Sequence, residues 1–123
     1  MLENIQHLGA VIESAAGDVT TIKGIDVFPA SMSLNVGESG LGMRLMTSIC
    51  AAHSGSFMIE GKGSLMLRPQ TFFEDHFPLL GATAASSEGK LPLKIVGPMT
   101  GGEIEVDGSM SSQFLSGLLM ALP

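Results

Sequence analysis

Apolar positions along the chain switch between helical and alternating spacing, and the switches fall at glycines. Leu2, Ile5 and Leu8 lie three apart with Gly9 as a stop, which predicts a helix over Met1–Leu8. A start inside a helix, with no capping residue before it, is unusual. Ala10–Ser14 and Val19–Lys23 flank an Ala16-Gly17-Asp18 turn and predict a hairpin. After a loop over Gly24–Met32, Ser33–Val36 predicts a short strand. Gly37-Glu38-Ser39-Gly40 then turns the chain into a helix reaching about Ala52. Ser56–Glu60 predicts a strand, Gly61–Pro69 a loop carrying Arg68, and Thr71–Leu80 a second helix whose last turn holds Pro78. Thr83–Ser86 and Leu91–Val96 flank Glu88-Gly89 as another hairpin. Gly97–Gly102 leads to a strand at Glu103–Val106, and a closing helix follows Asp107-Gly108. The fold class is therefore α/β, in the α+β sense of mixed elements.

The pattern repeats. His7-Leu8-Gly9-Ala10 is echoed by Leu79-Leu80-Gly81-Ala82. Each is followed by strand, glycine turn and a strand ending in Ile22-Lys23-Gly24 or Ile95-Val96-Gly97. Gly37 opens one glycine-turn helix and Gly108 the other, so the period is about 71 residues. The period divides the chain into the end of one unit at 1–24, a full unit at about 33–97 and the start of the next at 103–123. A chain that begins and ends inside a repeat reads as a piece of a longer protein.

Both glycine-turn helices are apolar around most of their circumference. One carries Leu41, Met43, Leu45, Met46, Ile49 and Cys50, the other Phe114, Leu115, Leu118, Leu119 and Met120. A helix without a wet face is buried on all sides or meets a partner, so helices inside, sheets outside and a self-associating apolar surface are expected. Before the closing helix, Ser109, Ser111 and Ser112 offer N-caps. A helix N-terminus with free N–H groups and hydroxyls is also suited to an anion.

Composition narrows the function. A net charge of −6 argues against nucleic acid as a partner. Hydrophobic residues at 45% are enough for a buried core, and no run approaches the roughly 18 apolar residues of a membrane span. The start lacks the basic and apolar regions of a secretory leader. The single cysteine, Cys50, excludes an intramolecular disulfide and fits a cytoplasmic location. It reads as core packing, because no cation or histidine adjoins it in the pattern. His7, His53 and His76 lack metal-ligand spacing, so no metal is expected. His53 suits the negative end of its helix. On the residues alone, Arg68 reads as a loop arginine, solvated or paired with Glu60. Arg44 reads as buried beside a structural carboxylate or as a ligand group.

Three motifs carry a family resemblance: Gly-x-x-Gly-x-x-Met-Arg at Gly37–Arg44, Arg68-Pro69, and Gly-Ser-x-Ser-Ser-Gln-Phe at Gly108–Phe114. In order and in the register of the repeat, they resemble the 5-enolpyruvylshikimate-3-phosphate synthase (EPSP synthase) family over nearly the whole chain. The resemblance implies an inside-out α/β fold of six βαβαββ units in two domains, with the active site in the cleft between them. Six periods come to roughly 430 residues, so this chain would be part of the N-terminal domain. The family transfers the enolpyruvyl group of phosphoenolpyruvate to the 5-hydroxyl of shikimate 3-phosphate, releasing phosphate, without metal or organic cofactor.

By motif, Ser111 and Ser112 resemble the hydroxyls that hold the shikimate phosphate, and Gln113 the amide touching both substrates. Arg68 resembles the arginine that binds phosphoenolpyruvate, Gly40 the glycine whose backbone comes close to it, and Arg44 a nearby basic helix residue. Guanidinium groups suit this work because they grip phosphate or carboxylate bidentately. The family's first lysine-serine-arginine site and the catalytic residues of its second domain fall outside 1–123. The segment alone is therefore expected to be inactive and to need the remainder of the enzyme. Glu38 stands where the family usually has Asn, Leu41 where it has Thr and Leu45 where it has Pro. The last two lie in the segment that shapes the glyphosate pocket of the family. Glu38 favours the helix start but repels an anion if it faces the cleft.

Two other classes stay open. One is the sister enolpyruvyl transferase acting on UDP-N-acetylglucosamine, whose members usually carry a loop cysteine where Cys50 is expected inside a helix. The other is a non-catalytic module that binds a partner, or a second copy, through its apolar helices.

Overall fold

The parallel pairing of two short strands, one on each side of a long helix, sets the frame. The computed structural model describes residues 2–14 and 17–122. Strand β3 (Ser31–Asn35) is followed by helix α2 (Gly40–Ala52), which returns the chain to β4 (Gly55–Glu60), parallel to β3 from Ser31↔Ser56 to Asn35↔Glu60. The chain continues through α3 (Thr71–His76), β5 (Thr83–Ser87) and β6 (Lys90–Gly97). Strands β4 and β5 both pair with β6 in antiparallel fashion, giving a four-stranded sheet in the order β3-β4-β6-β5. Before this unit, helix α1 (Leu2–His7) precedes an antiparallel hairpin of β1 (Val11–Ser14) and β2 (Thr20–Lys23). Helix α4 (Ser112–Ala121) closes the chain. Among the described residues no helix is long and apolar enough to cross a membrane.

Alternation gives the four-stranded sheet one dry face. Leu91, Leu93 and Ile95 of β6 are buried, whereas Lys90, Pro92, Lys94 and Val96 point outward. Leu34, Phe57 and Ile59 continue the inner face, and α2 packs on it through Met43, Met46, Cys50 and Ala51. Phe57, Phe73 and Phe77 are fully buried, each contributing about 1.5–3 kcal/mol from area removed from water. Helix α4 lies against α2 on the side away from the sheet. The approach is close because Gly117 faces the α2 backbone: a Cβ there would lie 2.7 Å from the Arg44 carbonyl oxygen. The order of layers is therefore sheet, α2, α4, with α2 in the middle.

The ends of α2 follow local chemistry. Ser39 is the N-cap, its hydroxyl accepting from the Gly42 N–H at 2.9 Å. His53 caps the other end through its backbone N–H to the Cys50 carbonyl, while its ring stacks on Phe28 at 3.7 Å. Cys50 is fully buried in α2, and desolvation pushes its thiol up to about 12.

Several expectations need correction. Strand β3 begins at Ser31, because Ser31 and Met32 gain partners on β4 that local sequence does not announce. The expected loop Gly61–Pro69 contains a 3-10 turn at Gly63–Leu67, fastened by fully buried Leu65. Helix α3 ends at His76, and a second 3-10 turn carries Phe77–Leu80, with Pro78 unable to donate to the α-helical ladder. Glu103–Val106 is not a strand; Ile104 and Val106 pack against the core without a ladder partner among the described residues. The turn at Ala16-Gly17-Asp18 falls partly outside the described residues. Both glycine-turn helices leave apolar side chains exposed, Leu41 in α2 and Leu115, Leu119 and Met120 in α4, the second of the two outcomes that a helix without a wet face allows.

Candidate functional site

Two arginines meet beyond the carboxyl ends of β3 and β4, where ligands of parallel strands commonly sit. Backbone bonds hold that edge together. The Val36 N–H donates to the Glu60 carbonyl and the Lys62 N–H to the Gly37 carbonyl, both at 2.9 Å. The turn into α2 and the segment leaving β4 are thereby fixed side by side.

Arg44 lies one turn into α2, and helical side chains lean toward the N-terminus. Its guanidinium thus returns over Gly40. Arg68 arrives from the other segment, extended ahead of Pro69. Gln70, itself fully buried, anchors that segment: its N–H donates to the Gly89 carbonyl at 2.7 Å and its side-chain amide to the Arg68 carbonyl at 3.4 Å. A Cβ built on Gly40 would lie 2.9 Å from Nη1 of Arg44 and 3.1 Å from Nη1 of Arg68. Only a glycine leaves both guanidinium tips where they are.

Arg44 is held on two sides by consecutive residues of α4. Its Nη1 donates to Oε1 of Gln113 at 2.8 Å, and its Cζ lies 4.7 Å from the centre of the Phe114 ring. Its Nε–H is buried without a protein partner. Burial first, and the charge of Arg68 second, lower the Arg44 pKa below its ordinary value. A carboxylate would relieve both effects, yet among the described residues the one ion pair within 4.0 Å is Lys23 with Asp26, far along the chain. Among the described residues neither Glu60 for Arg68 nor any acid for Arg44 comes within that distance. A cavity of about 250 Å³ opens beside the pair, lined by Arg44, Arg68, Thr71, Phe72, Met110 and Phe114. Two converging cations without a counter-charge are arranged to receive an anion.

The sequence-predicted residues divide into two groups. Gly40, Arg44, Arg68 and Gln113 converge. Ser111 and Ser112 stand at the start of α4 without a hydrogen bond to either arginine among the described residues. Ser111 is the N-cap, its hydroxyl accepting from the Gln113 N–H at 3.2 Å, and Ser112 is the exposed first residue of the helix. Sequence reading missed Phe72 and the ring of Phe114 as parts of the site. The only available signal was two aromatic residues in helices that also carry the motifs. Glu38 turns toward the 3-10 segment, where its carboxylate packs against Gly63. No three His, Cys, Asp or Glu side chains group together among the described residues.

Comparison with known proteins covers the same ground from end to end. The sequence pattern of EPSP synthase (3-phosphoshikimate 1-carboxyvinyltransferase) matches residues 1–123. The chain is 35% identical to the 3-phosphoshikimate 1-carboxyvinyltransferase of Deinococcus radiodurans, an alignment covering 100% of the chain and 28% of the relative. With the enzyme of the same name from Methanococcoides burtonii the identity is 37%, over 96% of the chain and 28% of the relative. An EPSP synthase structure from Acinetobacter baumannii superposes with a TM-score of 0.80 at 31% identity, covering 98% of the chain and 28% of that protein. The chain thus spans a little over a quarter of the length of these relatives. With the fold, the converging arginines and a match that runs its whole length in agreement, the chain belongs to the EPSP synthase family, the 3-phosphoshikimate 1-carboxyvinyltransferases.

Proposed function

We propose that the chain supplies part of the substrate site of an enolpyruvyl transferase. That enzyme moves the enolpyruvyl group of phosphoenolpyruvate to the 5-hydroxyl of shikimate 3-phosphate and releases phosphate, in the cytoplasm. The observation that carries this reading is the convergence of Arg44 and Arg68 on Gly40 with no carboxylate between them. In this reading Arg68 and Arg44 bind phosphoenolpyruvate, and Gly40 lets the ligand approach the backbone. Ser111 and Ser112 hold the shikimate phosphate at the N-terminus of α4, whose dipole favours an anion. The Ser111 hydroxyl accepts from the chain but keeps its own proton to donate. Gln113 accepts from Arg44 through its oxygen, which leaves its amide N–H groups for either substrate. The groups that move protons in the reaction belong to the remaining length of the enzyme.

The units at 1–24, about 33–97 and 103–123 are read as parts of three repeats. The exposed apolar face of α4, with Leu119 at 65% and Met120 at 62%, is the surface that the rest of the enzyme covers. Self-association of the isolated chain through that face is the competing use, and a concentration series in size-exclusion chromatography separates the two.

The deciding experiment is an NMR titration of this chain with shikimate 3-phosphate and phosphoenolpyruvate, with UDP-N-acetylglucosamine as control. Amide shifts confined to Ser111–Phe114, Gly40 and Arg68 are expected. A response to the nucleotide sugar in place of shikimate 3-phosphate would assign the chain to the sister activity. Silence from a folded chain would overturn a preformed half-site.

A further inference from the structure

The guanidinium of Arg44 is the first layer of a stack four groups deep. Phe114 lies beneath it, with Arg44 Cζ 4.7 Å from the ring centre. Phe72 lies beneath Phe114 at 4.1 Å between centres and 20° between planes, and His76 beneath Phe72 at 4.2 Å and 23°. Phe73 meets Phe72 and Phe114 edge-on, at 5.6 Å and 5.4 Å, and closes the side of the stack. His76 is fixed in turn by Nδ1 at 2.7 Å from the Phe72 carbonyl. The stack crosses three helices, since Arg44 belongs to α2, Phe114 to α4, and Phe72 and His76 to α3.

We infer that Phe72 is a positioning residue for the anion site, acting on Arg44 through Phe114. Both faces of its ring are occupied, one by Phe114 and one by His76, so only its edge reaches the cavity. Its effect on a bound anion therefore runs through the stack. Phe114 and Gln113 are neighbours on α4, and together they hold the face and the edge of one guanidinium. A ring displaced at Phe114 releases the cation–π contact and shifts the Gln113 oxygen with it. The Arg44 Nε–H, buried and without a protein partner, provides no alternative tether. Phe72 thus lets α3 set where a cation from α2 stands relative to Arg68. The inference rests on the anion-site reading for its functional consequence, but not for its geometry.

The test uses the side-chain Nε–Hε resonances of Arg44 and Arg68 in the 123-residue chain, free and with phosphoenolpyruvate or inorganic phosphate. Phe72→Leu keeps an apolar side chain but removes the stacked ring, and Phe72→Tyr keeps the ring. In Phe72→Leu the Phe114 ring loses its support and moves, so the Arg44 resonance should change its shift while that of Arg68 stays. Phosphoenolpyruvate binding should weaken on the order of five- to tenfold, the range one cation–π contact supports. Phe72→Tyr should restore both. An unmoved Arg44 resonance in folded Phe72→Leu overturns the positioning role. An Arg44 shift with no phosphoenolpyruvate binding by any form sustains the positioning role and overturns the anion-site reading instead. If Phe72→Leu does not fold, Phe72→Met, a longer unbranched side chain that also removes the ring, decides the matter. A displaced Arg44 resonance there supports the inference, and an unchanged one overturns it.

Discussion

Arg44 donates from Nη1 to the side-chain oxygen of Gln113 at 2.8 Å, joining positions 69 residues apart. The bond ties the first glycine-turn helix to the second and leaves the positive charge uncompensated. Replacing the amide by a carboxylate separates the two consequences. Gln113→Glu gives Arg44 a charge-assisted partner, so the free chain should gain up to about 1 kcal/mol in urea denaturation. The same carboxylate cancels the field that attracts an anion, and phosphoenolpyruvate binding by calorimetry should fall. A variant that gains stability and binds as well as the parent would show that the ligand does not use Arg44.

Gly40→Ala tests the convergence itself. Gly40 is the first residue of α2, with no positive φ to forbid alanine, and helix propensity favours the change by up to about 1 kcal/mol. The new Cβ would meet Nη1 of Arg44 at 2.9 Å and of Arg68 at 3.1 Å, the flexible ends of two long side chains that can swing aside. Thermal unfolding should therefore stay within a few degrees of the parent, while affinity for phosphoenolpyruvate drops. A large loss of Tm would mean that the arginines are packed rigidly rather than poised for a ligand.

What the sequence disclosed, and what it withheld, divides along the same physical line. Helix α2 was legible because its signals are local: the Gly37-Glu38-Ser39-Gly40 turn and the apolar run behind it. Arg44, Arg68, Gly40 and Gln113 were legible as a set only through motif resemblance, because no local rule joins α2, the segment after β4 and the start of α4. The unpaired state of Glu103–Val106 was illegible. Ile104 and Val106 alternate as a strand does, yet among the described residues they have no ladder partner. The 3-10 turn at Gly63–Leu67 depends on Leu65 finding the core, which is a tertiary fact. The stack through Phe72 belongs to the same class, since aromatic pairs in a helix ordinarily signal nothing beyond burial.

Gly117→Ala should be the most damaging of the small substitutions. At this position the Cβ meets backbone, the Arg44 carbonyl oxygen at 2.7 Å, and then the Ser48 hydroxyl at 2.9 Å. Backbone cannot rotate away, so α4 must move off α2 and carry Gln113 and Phe114 with it. Overpacking of this kind costs about 1–3 kcal/mol, more than alanine returns in helix propensity. Urea denaturation should show the loss, and the Arg44 Nε–Hε resonance should move in the same variant. Stability equal to the parent would mean that the two helices are not held at this spacing.

Cys50 gives a pH dependence whose sign can be worked out in advance. Burial raises the folded thiol from its ordinary 9.0 to about 12. Below pH 9.0 the thiol is protonated in both states, and its full contribution to stability is present. Between those values the unfolded chain releases a proton that the folded chain retains, so stability falls as pH rises, by about 1.4 kcal/mol per unit from this group. Comparison with Cys50→Ala isolates the share of this one group. The parent should lose stability more steeply than the variant between pH 9.5 and pH 10.5, roughly the lower half of that window. An aromatic disulfide reagent at pH 8 should leave the folded thiol unmodified and react at once in urea. Equal slopes together with rapid modification of the folded chain would place the sulfur at the surface and break the α2 core described above.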